Sequence, residues 1–175
     1  MFEIKIKLTH PLAKIPTKGS ANAACWDVYA AEINQITNDC YQVNLGFQLE
    51  PPPGFKVVLV PRSSITKTSL IQQNSPGQGD EDYRGEYKYI FRMLPSHLHK
   101  HSWSDSGIYI KSTERFPPHI DNNCYLRLAY NEFPYKVGDR IGQIFLEKII
   151  PIQFMQVDNL SETERGEGGF GSTGK

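Results

Sequence analysis

Tyr87, Tyr89, Phe91 and Met93 alternate with Lys88, Ile90 and Arg92. A run of that length with period two fits a strand with one buried face. The residues leading into it are less ordinary. Gly77-Gln78-Gly79-Asp80-Glu81-Asp82-Tyr83-Arg84-Gly85-Glu86 opens on two glycines and sets three acids, a tyrosine and an arginine before the next. Glycine takes φ > 0 at no steric cost, so this punctuation reads as a tight hairpin. Its first strand would end near Leu70 and Ile71, and its second is the alternating run. Asp80 and Tyr83 then stand at the tip. A carboxylate there can act as a general base or hold a metal-bound water, and a tyrosine can wall a small pocket. An ordinary solvated turn carries the same punctuation.

Short strands of this kind recur along the chain. Phe2, Ile4, Ile6 and Leu8 alternate with Glu3, Lys5 and Lys7, which predicts a half-buried strand, followed by a polar loop through Ser20. Residues 45–49 read as a short strand, and Pro51-Pro52-Pro53-Gly54 forces a turn. Residues 55–60 form an apolar strand that stops at Pro61. Further strands are expected at 125–130, 141–150 and 152–157, with a turn at 136–140. Twelve prolines and fourteen glycines among such segments imply an all-β fold. At 175 residues one domain is expected, burying about 70% of its unfolded surface. A formal net charge of zero argues against nucleic-acid or membrane-surface binding. Cys25, Cys40 and Cys124 are odd in number and lack metal-ligand spacing, which suits free thiols in a reducing cytoplasm. No apolar run has the length of a signal peptide or a membrane span.

Four other places could carry chemistry. Asp27 lies among small residues from Ala23 to Ala31 and fits an internal hydrogen-bond hub or a water-mediated metal ligand. Pro61-Arg62-Ser63-Ser64 offers two hydroxyls and a guanidinium just after a strand. A short helix over 65–70 would add its N-terminal dipole to that anion site. His97, His99 and His101 would share one strand face, as metal ligands or as part of a solvated polar insertion. The glycine-rich end, Arg165 to Lys175, has Phe170 as its one large apolar residue and cannot form a core of its own. Its G-x-x-x-x-G-K spacing is not a P-loop, because no strand leads directly into it. It reads instead as an arm whose N–H groups, hydroxyls and Arg165 close over a phosphate while Phe170 caps a flat ring.

Taken in order, these segments resemble the motifs of the trimeric dUTPase family across nearly the whole chain. Ala24-Cys25-Trp26-Asp27-Val28-Tyr29-Ala30 resembles A-G-Y-D-L-x-A, departing at Cys25 and Trp26. Pro61-Arg62-Ser63-Ser64 matches the second motif. Gly77 to Gly85 matches G-x-I-D-x-D-Y-R-G, with Gly79 where the family prefers an apolar residue. Gly138-Asp139-Arg140-Ile141-Gly142-Gln143 matches the fourth, and Arg165 to Gly174 matches R-G-x-G-G-F-G-S-T-G without departure.

The resemblance implies a jelly-roll-like β-barrel, the dUTPase-like β-clip, forming a homotrimer with exchange of C-terminal arms. Residues 1–160 would be the barrel, with an insertion at about 95–131, and residues 161–175 a flexible arm closing over a site shared between subunits. The implied reaction is Mg²⁺-dependent hydrolysis of dUTP to dUMP and pyrophosphate, limiting uracil in DNA and supplying dUMP for dTMP synthesis. Asp80 would be the general base, and Asp27 would hold Mg²⁺ through water, the ion being bound mainly by the triphosphate. Ser63, Ser64 and Gln143 would bind the α- and β-phosphates, with Arg62 bracing their loop. Arg165, Ser172 and Thr173, with Gly171 between, would take the γ-phosphate, and Phe170 would stack on uracil. Asn74, Gln78, Gly79 and the strand near Lys88 would read the uracil edge. Tyr83 would pack under the sugar and exclude a 2′-hydroxyl. A dCTP deaminase shares the fold but would place a glutamate in the Asp80 constellation and lack the glycine arm. A non-catalytic regulatory protein would not need the catalytic positions intact. An enzyme that also binds a protein partner through residues 95–131 stays open. The strand-like pieces at 108–110 and 126–128 predict that the insertion is an ordered excursion.

Overall fold

The computed structural model describes residues 3–94 and 132–169, together with the backbone of 108–111 and 125–128. Thirteen strands run in chain order among them: β1 (Lys5–Leu8), β2 (Thr17–Lys18), β3 (Trp26–Tyr29), β4 (Glu32–Gln35), β5 (Cys40–Asn44), β6 (Phe47–Glu50), β7 (Phe55–Pro61), β8 (Leu70–Gln72), β9 (Gly77–Gly79), β10 (Lys88–Met93), β11 (Ile108–Lys111), β12 (Tyr125–Leu128) and β13 (Arg140–Lys148). A 3₁₀ turn over Ser63–Lys67 joins β7 to β8. No helix among the described residues is long and apolar enough to cross a membrane.

Every pairing is antiparallel. One sheet has the order β2-β3-β13-β7-β9 and another the order β4-β5-β10-β8, while β1-β6 and β11-β12 stand as pairs. Alternation along β10 turns Tyr89, Phe91 and Met93 inward onto Val28, Val43, Phe47, Val57 and Ile141. Tyr89 also ties the two large sheets together. Its hydroxyl reaches from β10 to the Gln143 carbonyl of β13 at 2.7 Å and the Val60 carbonyl of β7 at 3.2 Å. Those strand ends carry the second and fourth motifs, so the tie sets the floor of the site. The expected all-β class holds.

Several local expectations change. Gly77–Gly79 do not continue a hairpin arm against β10. They pair with β7, with Val57 opposite Gly79 and Leu59 opposite Gly77. The strand that pairs with β10 is β8, with Gln72 opposite Phe91. Asn74 ends that ladder with its side chain, donating Nδ2 to the Lys88 carbonyl (3.1 Å) and accepting the Ile90 N–H at Oδ1 (3.0 Å). Pro76 has no N–H to continue it. Residues 80–87 are therefore a crossing from one sheet to the other. The 45–49 strand starts at Phe47, because the Leu45 N–H is taken by the Tyr87 carbonyl at 3.0 Å. The helix expected over 65–70 is the 3₁₀ turn, and Leu70 already belongs to β8. Residues 152–157 form no strand: Ile152 is 73% and Phe154 92% exposed, and no neighbouring strand within the described chain offers them a ladder. In the insertion, Ile108 pairs with Leu128 and Lys111 with Tyr125, so the two strand-like pieces do meet. The histidines at 97, 99 and 101 lie outside the described residues.

Candidate active site

The β3–β13 register sets Gln143 opposite Asp27. Arg140 lies three residues from Gln143, and in a regular strand the two would face opposite sides. A register shift between Arg140 and Gly142 corrects the parity, so both side chains reach Asp27. Asp27 is only 4% exposed. Its Oδ1 accepts Gln143 Nε2 at 3.0 Å and Arg62 Nε at 3.2 Å, and its Oδ2 accepts Arg140 Nη1 at 3.1 Å. Arg62 Nη1 also donates to the Arg140 carbonyl at 3.3 Å. Such a carboxylate is a hub: both oxygens are occupied by charge-assisted donors. Arg62 braces the loop in the sense expected of it, and Ser63 and Ser64 follow it at the start of the 3₁₀ turn, where no side chain caps the helix. Tyr135 closes the far side of this loop. Burial pushes its phenol above the ordinary value, against the opposing pull of Arg62 and Ser64.

A Mg²⁺ ion held by protein ligands does not fit these donors. Asp27 faces two guanidinium groups, and no group of three His, Cys, Asp or Glu side chains converges among the described residues.

The second half of the site is the crossing after β9. Its acids divide into two kinds. Glu81 Oε2 accepts the Gly54 N–H at 2.8 Å and Glu86 Oε1 the Gly46 N–H at 2.9 Å. Arg84 Nη1 donates to the carbonyls of Glu81 (2.7 Å) and Tyr83 (3.1 Å). The backbone is thus clamped from several sides, and the Asp80 carbonyl accepts the Tyr83 N–H at 3.1 Å. Asp80 and Asp82 themselves are exposed, with no side-chain hydrogen bond or ion pair among the described residues. Between these two acids, Asp80 adjoins β9 and lies near enough to the Tyr87 phenol to oppose its ionisation. Tyr83 is 40% exposed, its hydroxyl donating to the Glu86 carbonyl at 3.1 Å.

The remaining expected residues are placed as follows. Asn74 is committed to the β10 backbone, beside Lys88. Gln78 projects outward from β9, where its Oε1 accepts Lys56 Nζ at 2.9 Å. Gly79 is buried at the end of β9. Arg165 is exposed and curls back so that Nε donates to the Gly168 carbonyl at 2.8 Å. No hydrogen bond or ion pair among the described residues joins Arg165, the Asp80 crossing and the Asp27 hub. Phe170, Gly171, Ser172 and Thr173 lie outside the described residues. Three residues emerge that the motifs alone did not single out. Arg140 is a hub partner whose part depends on the bulge. Tyr87 carries a buried hydroxyl without a hydrogen-bond partner among the described residues, and the Tyr135 hydroxyl, near Ser64, makes no bond of full hydrogen-bond geometry there; their only sequence signal is a large aromatic beside a motif.

Comparison with known proteins bears on this geometry. A family model described as dUTPase matches residues 12–94 and 100–174. Deoxyuridine 5′-triphosphate nucleotidohydrolase of Saccharomyces cerevisiae is 34% identical over 98% of this chain and 94% of its own length. The Yarrowia lipolytica protein of that name is 32% identical over 99% and 90%. Among solved structures, the Staphylococcus bacteriophage 80alpha dUTPase with dUPNHPP superposes with a TM-score of 0.70 at 22% identity, covering 99% of each chain. A dUTPase of phage phi11, solved as a point mutant for its coordination of a structural Mg(II) ion, gives a TM-score of 0.63 at 17% identity over 91% of this chain and 99% of its own.

Proposed function

This chain belongs to the dUTPase family, and from that premise we propose that it hydrolyses dUTP to dUMP and pyrophosphate with Asp80 as general base. The observation that carries this reading is the free carboxylate of Asp80, next to β9 and beside the Tyr87 phenol, on a crossing whose Glu81, Glu86 and Arg84 are engaged by backbone. A base must be held still and yet keep its lone pairs open to water, and this turn supports both. Attack falls on the α-phosphorus, and positioning with charge neutralisation does most of the work in such a transfer. The 3₁₀ turn at Ser63–Lys67 offers hydroxyls and N–H groups to the α- and β-phosphates. Gln143 would release Asp27 to join them, leaving the two arginines to hold that carboxylate. Mg²⁺ chelated by the triphosphate would neutralise its charge. Backbone between Asn74 and Gly79, facing Lys88, would read the uracil edge. Tyr83 would stand under the sugar.

The domain division and assembly follow from the same reading. Residues 1–160 form the barrel, with the insertion at about 95–131, and residues 161–175 the arm. An apolar groove of about 250 Å³ lies between Ile4, Ile6, Trp26, Leu49, Ile144 and Leu146. The apolar stretch from Ile150 to Leu160 lies exposed on the same chain. A homotrimer that exchanges C-terminal segments would cover apolar surface that the single chain leaves open. It would also bring Arg165 and Phe170 of one copy to the Asp80 of another. The free thiols of Cys25 and Cys40 fit a reducing cytoplasm, where the product dUMP would feed dTMP synthesis. Anion-exchange analysis of products from dUTP, dCTP, dTTP and UTP with Mg²⁺ tests the proposal. Pyrophosphate and dUMP from dUTP alone are expected. Ammonia released from dCTP, or no turnover of dUTP, would overturn it.

A further inference from the structure

Gly79 precedes the proposed base and stands where the family prefers an apolar residue, and the structure contains what fills that space. A Cβ at Gly79 would lie 2.5 Å from Tyr87 Cε1 and 2.7 Å from Cζ, with the hydroxyl nearer still. The phenol of Tyr87 therefore occupies the volume that a side chain at position 79 would take. Tyr87 is 3% exposed. Its backbone is fixed on both sides: its N–H donates to the Phe47 carbonyl at 3.2 Å and its carbonyl accepts the Leu45 N–H at 3.0 Å. On its other flank stands Tyr83, edge-to-face at 87° with ring centroids 5.4 Å apart. Tyr83 in turn sets its hydroxyl end against Gly85, where a Cβ would lie 2.5 Å from Tyr83 Cζ.

One buried ring thus touches both the strand end that carries Asp80 and the ring that would wall the sugar. We propose that Tyr87 is the positioning residue for deoxyribose selection: seated on Gly79, it stiffens Tyr83 against a 2′-hydroxyl and supports the Asp80 turn from beneath. This deepens the dUTPase reading and rests on it. A wall discriminates against one added oxygen only if it cannot yield, and steric selection of that size reaches about 10–200-fold. Tyr83 is largely in water on its open side, held by a single hydroxyl bond to Glu86. Its stiffness comes from the packed side, and Tyr87 is the aromatic ring in contact there.

The test is an exchange of size between positions 79 and 87. Tyr87→Val removes the buttress, Tyr87→Phe keeps the ring, Gly79→Ile adds a side chain into an occupied space, and Gly79→Ile with Tyr87→Val refills it from the other strand. For Tyr87→Val, the ratio of kcat/KM for dUTP over UTP is expected to fall about tenfold, chiefly by a gain on UTP. Tyr87→Phe should hold the ratio, and the double variant should recover it in part. Gly79→Ile alone should lower the thermal midpoint more than the double variant does. A folded Tyr87→Val protein with an unchanged ratio would overturn the proposal. Should Tyr87→Val fail to fold, Tyr87→Leu gives the same reading, with an unchanged ratio again counting against it. Wild-type protein that does not turn over dUTP would sink the functional reading instead. The thermal midpoints would still show whether Gly79 and Tyr87 are a matched pair, so the two failures are distinguishable.

Discussion

Asp27 and Asp80 are two carboxylates in one proposed site with opposite surroundings. Asp27 is buried with both oxygens held by Arg62, Arg140 and Gln143. Asp80 is exposed, and its side chain meets no donor among the described residues, although its carbonyl accepts the Tyr83 N–H and the crossing that follows it is clamped through Glu81, Glu86 and Arg84. One acid is fixed by what binds its oxygens; the other is fixed by everything except its oxygens. A carboxylate whose lone pairs are occupied by cations orders its neighbours, and one held only through its backbone stays available to water. The contrast can be broken by experiment.

The sharpest test replaces the free acid. Asp80→Asn keeps size and shape, and no ion pair is lost. Turnover of dUTP should fall about 10²–10⁴-fold, the scale of lost general-base work. The thermal midpoint should stay where it was. Near wild-type turnover would return Asp80 to the status of an ordinary turn residue, and a large fall in stability would mean that its side chain has a partner after all.

Asp27→Ala should reverse the pattern. It strands Arg62 and Arg140 at one end of β13, so urea unfolding at fixed protein concentration should lose about 2–3 kcal/mol. That lies at or below the range for a fully buried pair because the Arg140 side chain is half exposed. A midpoint unchanged from wild type would show that the three donors find water as readily as they found the carboxylate, and the hub would lose its structural meaning.

How much of this could be read in advance differs between the two acids for a physical reason. The Asp80 crossing announces itself locally: glycines, acids and a tyrosine within ten residues, then the alternation of Tyr87, Tyr89, Phe91 and Met93. The Asp27 hub depends on register, and a bulge between Arg140 and Gly142 leaves no mark in composition. Pairing partners were equally hidden. Gly77–Gly79 look like a hairpin arm but join β7, since a three-residue strand has no preference of its own and follows whichever edge is open. The Glu32-Ile33-Asn34-Gln35 strand is too polar to signal itself, yet it pairs with β5 through Ile33 and Val43. Conversely, Ile152, Phe154 and Met155 look like a strand and are exposed, because alternation cannot form a ladder without a neighbour. Gly79 was legible only as an anomaly; the residue that explains it sits eight positions on, across the gap between two sheets.

The smallest expected effect concerns that residue. Burial, aided by the neighbouring Tyr83, pushes the Tyr87 phenol from 10.0 up to about 12. An unfolded chain releases this proton near pH 10, while the folded chain keeps it until about pH 12. Between those values the unfolded state binds fewer protons, so rising pH favours unfolding. The phenol's contribution is complete below pH 10 and is lost as the pH climbs through the folded value. One such group changes stability by at most about 1.4 kcal/mol per pH unit. Tyr87→Phe removes the titration, so its stability should fall less steeply between pH 10 and 12 than that of the wild type. Tyr89 and Tyr135 are also raised by burial and keep the remaining slope from vanishing. At neutral pH the same variant removes a buried hydroxyl with no partner among the described residues. It should therefore be as stable as the wild type or up to about 1 kcal/mol more so. Equal alkaline slopes for the two proteins, measured by urea unfolding at matched concentrations, would mean that the phenol reaches water. In that case the ring is no longer the closed floor beneath Asp80, and the contrast with the sealed hub at Asp27 extends below the turn as well as above it.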